Sequence, residues 1–516
     1  MLMKTASQSL TEQLCARFAE RIRNRLLAPG ARLPSVRLCA EQQGVSVSTV
    51  VAAYDQLQAQ GLVVARKNSG FFVRDGSSSM AGRGGASPEN ETSNTALRQE
   101  KRGLSAIENI AFTSKNPALS VTPPLVDGPS SWSTASWIAT RHAPVDATAL
   151  IRGMFHTVSK KPQPGMGVFP SDWLDTTFMP TAVRKVTSAQ SLRDFSLQYG
   201  EPKGDTGLRR ALSQKLSALN VHAVPEQIIT TVGATHALDI VSRTLLRAGD
   251  CVMVEEPGWA VEFARLDALG MRILPVPRSA AGPDLEVMAQ YCKLHSPKLF
   301  VSVSVFHNPT GYCLSPGSAH RVLQLANEHN FHIVEDDTYS HLAPEHATRL
   351  CALDGLQRTI YVSGFAKILA PGWRVGFMAA PPGLVERLLD TKLLATLTTP
   401  ALLEKALAWC IDQGQLRRHA ERIRTRLGQA RARSVKLALA HGCRFEAEPA
   451  GLFGWVDTGV DTDALAQRML DEGYLIAPGA LFHAVRKPST LMRINFATTQ
   501  EATFWKVFAR LREAMR

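Results

Sequence analysis

The stretch Tyr361–Phe377, YVSGFAKILAPGWRVGF, contains one lysine with the surroundings of a reactive amine. Lys367 follows a strand-like run and is flanked by Phe365, Ile368 and Leu369, an apolar wall that disfavours the ammonium ion. An amine held partly neutral can condense with an aldehyde to a Schiff base. Seven residues on, Arg374 supplies a permanent cation whose planar fork suits a phosphate. Asp336 ends the apolar run that begins at His332, so it sits at the C-terminal end of a strand, where ligands gather in open α/β sheets. Asp337 is the competing carboxylate. The plainer alternatives are a surface lysine after a buried strand and a loop aspartate capping a helix.

Groups this far apart in sequence need a scaffold that brings strand ends together. From Phe169 onward strand and helix patterns alternate. Strand-like runs are expected at Gln227–Val232, Cys251–Glu255, Arg272–Val276, Leu299–Val305, His332–Glu335 and Thr359–Ser363, with helices such as Gly207–Leu219 and Pro316–His329 between them. This is an α/β pattern with a mainly parallel sheet. Beyond about Leu384 long helical patterns take over, and Gly451–Asp457 and Leu491–Phe496 read as strands of a smaller C-terminal α+β subdomain.

Several segments in this order carry a resemblance. YGEPKGDTGLRRAL from Tyr199, TTVGATHALDIV from Thr230, FHNPTG from Phe306, EDDTYSHL from Glu335, the lysine stretch and MRINFA from Met492 resemble the motifs of fold-type I aminotransferases, the pyridoxal-phosphate (PLP) enzymes. The resemblance implies that PLP is held on Lys367 as a Schiff base, with Gly233, Ala234, Thr235 and Arg374 at its phosphate. It implies Asp336 at the pyridine nitrogen, Asn308 and Tyr339 at the ring oxygen, and Trp259 stacked on the ring. Tyr199 resembles the tyrosine that reaches the phosphate from a second subunit, which implies a homodimer. Arg493 resembles the arginine that forks an amino acid's α-carboxylate. Before Lys367 the chain has Gly364-Phe365-Ala366 where relatives often have hydroxyls, leaving Ser363 as the possible substitute.

The front of the chain has its own pattern. Leu10, Leu14, Phe18, Ile22 and Leu26 recur every four residues, an amphipathic helix over Leu10–Leu27 stopped by Pro29-Gly30. Ser35 caps a second short helix with Val36, Leu38 and Cys39 available for packing, and Gly44 ends it. Ser46 caps a third helix with Val47, Val50, Tyr54 and Leu57. Leu62–Ala65 and Phe71–Val73 then flank a turn, giving a helix-turn-helix with a β-wing. Residues 29–73 resemble GntR-type regulators, and the combination resembles the MocR-type branch. By that resemblance Arg37, Ser46, Ser48, Thr49 and the wing residues Lys67, Ser69 and Gly70 contact double-stranded DNA. Val47 and Val51 stand where relatives often carry arginine, which removes bidentate guanine reading and leaves hydroxyls, thymine methyls or DNA shape.

The expected organisation is a DNA-binding unit over 8–75, a joining segment over 76–160, flexible at least to about 105, and a PLP unit over 161–516. A chain of 516 residues with 45% hydrophobic content supports more than one core. Its 58 basic and 45 acidic residues give a net charge of +13, of which +5 lies in residues 1–75 and suits a nucleic acid. The eight cysteines form no CxxC pair and no metal site is expected. No signal-peptide or membrane-spanning pattern is seen, so a cytoplasmic protein is expected. The functional expectation is a regulator that senses an amino acid, an amine or PLP. The alternative is a working aminotransferase tethered to DNA.

Overall fold

The computed structural model describes residues 9–23, 27, 30–66, 69–74, 161–174, 177–369 and 371–516. The joining segment 76–160 and the wing residue Lys67 lie outside them.

The N-terminal part folds as α1 (Leu10–Arg23), α2 (Val36–Gln43), α3 (Val47–Ala59) and a hairpin of β1 (Val63–Arg66) and β2 (Gly70–Val73). Ser35 Oγ accepts from the Leu38 amide and Ser46 Oγ from the Thr49 amide, satisfying donors that α2 and α3 would otherwise leave unpaired. Gly44 ends α2 at φ 65°, a backbone that a side chain disfavours. Leu14, Phe18, Val50, Tyr54 and Leu57 fill the core, with Tyr54 edge-on to both Phe18 and Phe71. Leu38 does not join it and is 41% exposed.

The large unit is built on an eight-stranded sheet of β3 (Ile228–Thr231), β4 (Cys251–Glu256), β5 (Arg272–Ser279), β6 (Gly282–Pro283), β7 (Leu299–Ser302), β8 (His332–Asp336), β9 (Thr359–Gly364) and β10 (Gly376–Ala379). The spatial order is β3-β10-β9-β8-β7-β4-β5-β6. Strands β5, β4, β7, β8 and β9 are mutually parallel. The strand β10 was not among the expected ones. It runs antiparallel between β3 and β9, so the chain leaves β9, passes Lys367 and returns beside its own strand. Leu299–Val305 was expected as one strand, yet β7 stops at Ser302 because the Val303 amide turns to donate to Glu255 Oε2 at 3.0 Å. A second sheet, in the order β11 (Arg444–Phe445), β12 (Phe453–Asp457), β14 (Leu491–Asn495), β13 (Ala477–Pro478), forms the smaller subdomain with helices Gln415–Ala440, Thr462–Asp471 and Ala502–Glu513. Among the described residues no helix is long and apolar enough to cross a membrane.

Two of the N-terminal basic residues are engaged inside the protein. Arg21 donates to Asp471 Oδ1 at 2.6 Å and to the Leu470 carbonyl at 3.0 Å, and Arg17 donates to the Asp471 carbonyl at 2.7 Å. Both reach the C-terminal end of the helix Thr462–Asp471, where the last carbonyls and the helix dipole favour a cation. Each charge-assisted hydrogen bond of this kind is worth roughly 1.5–3 kcal/mol. Asp471→Ala is therefore expected to lower the docked fraction reported by energy transfer between dyes on α3 and on the helix Ala502–Glu513. Unchanged transfer would show that the arginines do not hold this contact.

Candidate cofactor site and DNA-reading face

The C-terminal ends of parallel strands converge on Lys367. Its Nζ donates to the Gly167 carbonyl at 2.8 Å. Phe365, Ile368 and Leu369 beside it are fully buried. Burial first, then the charge of Arg493, pulls its amine down to about 8, with Asp336 opposing. At neutral pH roughly a tenth of such amines are unprotonated, far more than for an exposed lysine.

Alternation at the end of β8 and into the residue after it separates three carboxylates, Glu335, Asp336 and Asp337. Asp337 pairs with the buried Arg349 at 2.6 Å and accepts from Tyr361 at 3.0 Å. Glu335 accepts from the Leu350 and Cys351 amides at 2.7 and 2.8 Å, opening the helix Leu350–Asp354. Asp336, between them, points the other way. Its hydrogen bonds come from the Thr338 amide, at 3.0 Å, and the Thr338 hydroxyl. Burial pushes its carboxyl up to about 6, against those hydrogen bonds. It lines one cleft with Trp259, Val301, Val303, Glu262 and His307. Tyr339 is buried three residues on, edge-on to Phe453 at 5.6 Å.

Gly233 begins the helix Ala234–Leu245 at φ 82°, and a Cβ there would lie 2.6 Å from Arg374 Nη2. Arg374 itself donates to the Val232 carbonyl at 3.1 Å, so the arginine and the helix N-terminus adjoin. Gly376 lies still closer to Gly233, where a Cβ would meet its carbonyl carbon at 2.5 Å. Ser363 does not substitute for the missing hydroxyls, because its Oγ is buried and donates to the Asp337 carbonyl at 2.9 Å.

Arg493 on β14 is buried between Phe453 and Phe482, its guanidinium 4.4 and 5.1 Å from their ring centres. It donates to Asn308 Oδ1 at 2.8 Å and to the Gly165 carbonyl, and its Nε has no partner. Burial lowers it to about 10, a cation still at neutral pH. Tyr199 stands apart, 81% exposed.

The segment 163–169 was not foreseen as part of the site. Gly165 and Gly167 give their carbonyls to Arg493 and Lys367, and Asn495 holds the segment by donating to the Met166 and Val168 carbonyls at 2.9 and 2.8 Å. The alternating Gly165-Met166-Gly167 was the available signal, since a Cβ at Gly165 would come within 2.7 Å of the Ile476 backbone.

On the N-terminal part, Arg37 and Ser48 are exposed and Thr49 is half-exposed. Ser46 Oγ is occupied as the cap of α3 and lies 2.8 Å from both the Ser48 and Thr49 hydroxyls. Val47 and Val51 are 50% and 40% exposed, so α3 presents an apolar and hydroxyl-bearing face. Ser69 donates its amide to Arg66, and Gly70 opens β2 at φ 98° with the Arg32 side chain 3.5 Å from where its Cβ would be. Arg32 had not been singled out, although its backbone bridges to Phe72 beside the wing.

The division of carboxylates predicts opposite consequences for neighbouring substitutions. Asp337→Ala leaves Arg349 buried without its anion and should cost about 3–5 kcal/mol in thermal unfolding. Asp336→Ala should cost markedly less. Equal losses would mean that Asp336 too is a structural anchor.

Residues 167–511 match the family "Aminotransferase class I and II", and residues 10–73 match "Bacterial regulatory proteins, gntR family". The chain is 28% identical to 2-aminoadipate transaminase of Thermus thermophilus over 69% of its own length and 91% of that protein. It is 26% identical to the probable rhizopine catabolism regulatory protein MocR of Rhizobium meliloti, over 86% of its own length and 79% of that protein. Among solved structures it is similar to Pyrococcus horikoshii kynurenine aminotransferase in complex with PMP, at a TM-score of 0.64 and 27% identity, covering 71% of this chain and 93% of that one. With its strand ends gathered on Lys367 and a winged helix-turn-helix in front, the chain belongs to the class I and II aminotransferase family, in the MocR-type arrangement that joins that fold to a gntR-family DNA-binding domain.

Proposed function

We propose that this chain is a DNA-binding transcription regulator that uses its aminotransferase-like part as the receptor for an amino acid, and that it acts as a homodimer. Residues 8–75 read DNA, residues 161–516 receive the small molecule, and 76–160 join them. The observation that carries the receptor reading is Arg493, a buried cation with an unpartnered Nε in the same site as Lys367. A carboxylate reaching it would replace the Asn308 and Gly165 acceptors and satisfy a fork that neutral groups satisfy only in part.

PLP is the cofactor of this family, and the residues present fit it. Two features support the fit, a helix N-terminus with Gly233 against Arg374 and a carboxylate, Asp336, left without a structural cation. The Ala234 and Thr235 amides and Arg374 would hold the phosphate, Asp336 the pyridine nitrogen, Asn308 and Tyr339 the ring oxygen, and Trp259 the ring face. When bound, PLP supplies an aldehyde for Lys367 and a ring that withdraws electrons. Lys367 contributes an amine that burial keeps partly neutral, and Arg493 orients a carboxylate beside it. The exposed Tyr199 fits a role on a partner subunit's site.

A second reading, a tethered aminotransferase, is favoured by that same depressed amine of Lys367, which turnover also requires. Steady formation of a keto acid would favour it. The receptor reading predicts that DNA binding, followed by anisotropy on a duplex selected from random sequence, responds to an amino acid far more than to an amine of equal length. Arg493→Ala should weaken that response about ten- to a hundred-fold, the worth of one charge-assisted contact. Equal responses to amines and amino acids in the native chain would remove Arg493 from the receptor.

A further inference from the structure

The net charge of +13 is distributed unevenly. Residues 1–75 hold five of it. The helix Gln415–Ala440, QLRRHAERIRTRLGQARARSVKLALA, holds seven, with eight basic residues against the single acid Glu421. That leaves one net charge for all the rest of the chain.

The helix is amphipathic in a specific sense. Leu416, His419, Ala420, Ile423, Leu427, Ala430, Ser434 and Ala438 are buried and share one face. At 100° per residue, Arg418, Arg422, Arg426, Arg433 and Lys436 fall within an arc of about 80° to one side of that face, and all five are exposed. Arg426 is held by Asp172 at 2.6 Å and lies over Trp173, and Arg418 donates to the Gln413 carbonyl at 2.9 Å. An ordinary solvated helix face mixes signs so that residues four apart attract. Here Arg418, Arg422 and Arg426 repeat the same sign at that spacing, with Glu421 the helix's single acid and Asp172 meeting Arg426, so the ridge keeps a net positive charge that suits an anion lying along it. From Arg418 to Lys436 the ridge is about 27 Å long. That length matches about eight base pairs of a duplex backbone.

We infer that the exposed ridge Arg418–Lys436 of this helix is a second DNA contact, one that binds phosphates flanking the sequence read by α3 and carries no base specificity. The inference deepens the DNA-binding reading and rests on it. It also fits the charge ledger of the N-terminal part, where Arg17 and Arg21 are spent on Asp471 and two fewer cations remain for phosphates. Contacts of this type act through released counterions, so their number appears as the slope of affinity against salt.

The test uses the full chain with Arg418, Arg422, Arg433 and Lys436 all changed to Gln, and leaves Arg426 on Trp173. Binding is measured over a range of salt on a 20- and a 60-base-pair duplex sharing one sequence selected from random DNA. On the longer duplex the quadruple variant should lose up to about four in the log–log salt slope and at least about tenfold in affinity. On the shorter duplex it should bind like the native chain, while Arg37→Ala weakens both. A quadruple variant with native slope on the longer duplex, alongside a weakened Arg37→Ala, would overturn the second contact and leave the first. Loss of self-association in the variant, with the long-duplex slope intact, would reassign the ridge to a protein contact and equally overturn it. A native chain that binds neither duplex would end the DNA-binding reading and this inference together.

Discussion

Everything in the larger unit depends on keeping a lysine amine in a place that does not want its charge. Lys367 is surrounded by buried Phe365, Ile368 and Leu369, shares its site with the cation Arg493, and has one neutral acceptor, the Gly167 carbonyl. An ammonium there is disfavoured by desolvation and by like charge together. The fold tolerates this because the sheet is satisfied elsewhere. Tyr361 and Phe377 pack beneath the site, and Ile360 and Val362 fill the opposite face with Leu238 and Val241.

The same logic sorts the anions. Three buried carboxylates in a row, Glu335, Asp336 and Asp337, would be intolerable if all were free. Two are neutralised by local donors, helix amides for Glu335 and Arg349 for Asp337. A further buried pair, Glu255 with Arg278, anchors the Val303 amide at the end of β7, and His307 is kept neutral there by burial. With those charges accounted for, Asp336 is left in the cleft with hydrogen bonds from Thr338 and no cation paired to it.

Much of this was legible in the chain. Caps such as Ser35, Gly44 and Ser46 mark helix ends through local chemistry, and strand runs of β-branched residues mark a buried sheet. Asp336 and Lys367 could be placed because residues at strand ends are read from the strands themselves. What could not be read depends on the return of the chain from far away. Strand β10 is defined by its antiparallel pairing with both β3 and β9, which the residues Gly376–Ala379 do not announce. The Gly165–Gly167 segment earns its role from residues more than three hundred positions distant. Arg17 and Arg21 count toward the +5 of residues 1–75, yet both are engaged by the helix Thr462–Asp471, because a sequence shows the sign of a charge and not its partner. The basic residues of Gln415–Ala440 belong to no recognisable motif, so the sequence shows their sign without showing that five of them are exposed along one ridge.

The proposed function makes Lys367 the covalent anchor in a pocket built by other residues. It is tested most directly by mixing the purified protein with PLP, reducing with borohydride and mapping the peptides by mass. The expected result is one pyridoxyl adduct, on the peptide containing Lys367, and none in Lys367→Ala, whose melting remains cooperative. An adduct spread over surface lysines, or persisting in Lys367→Ala at native yield, would contradict it.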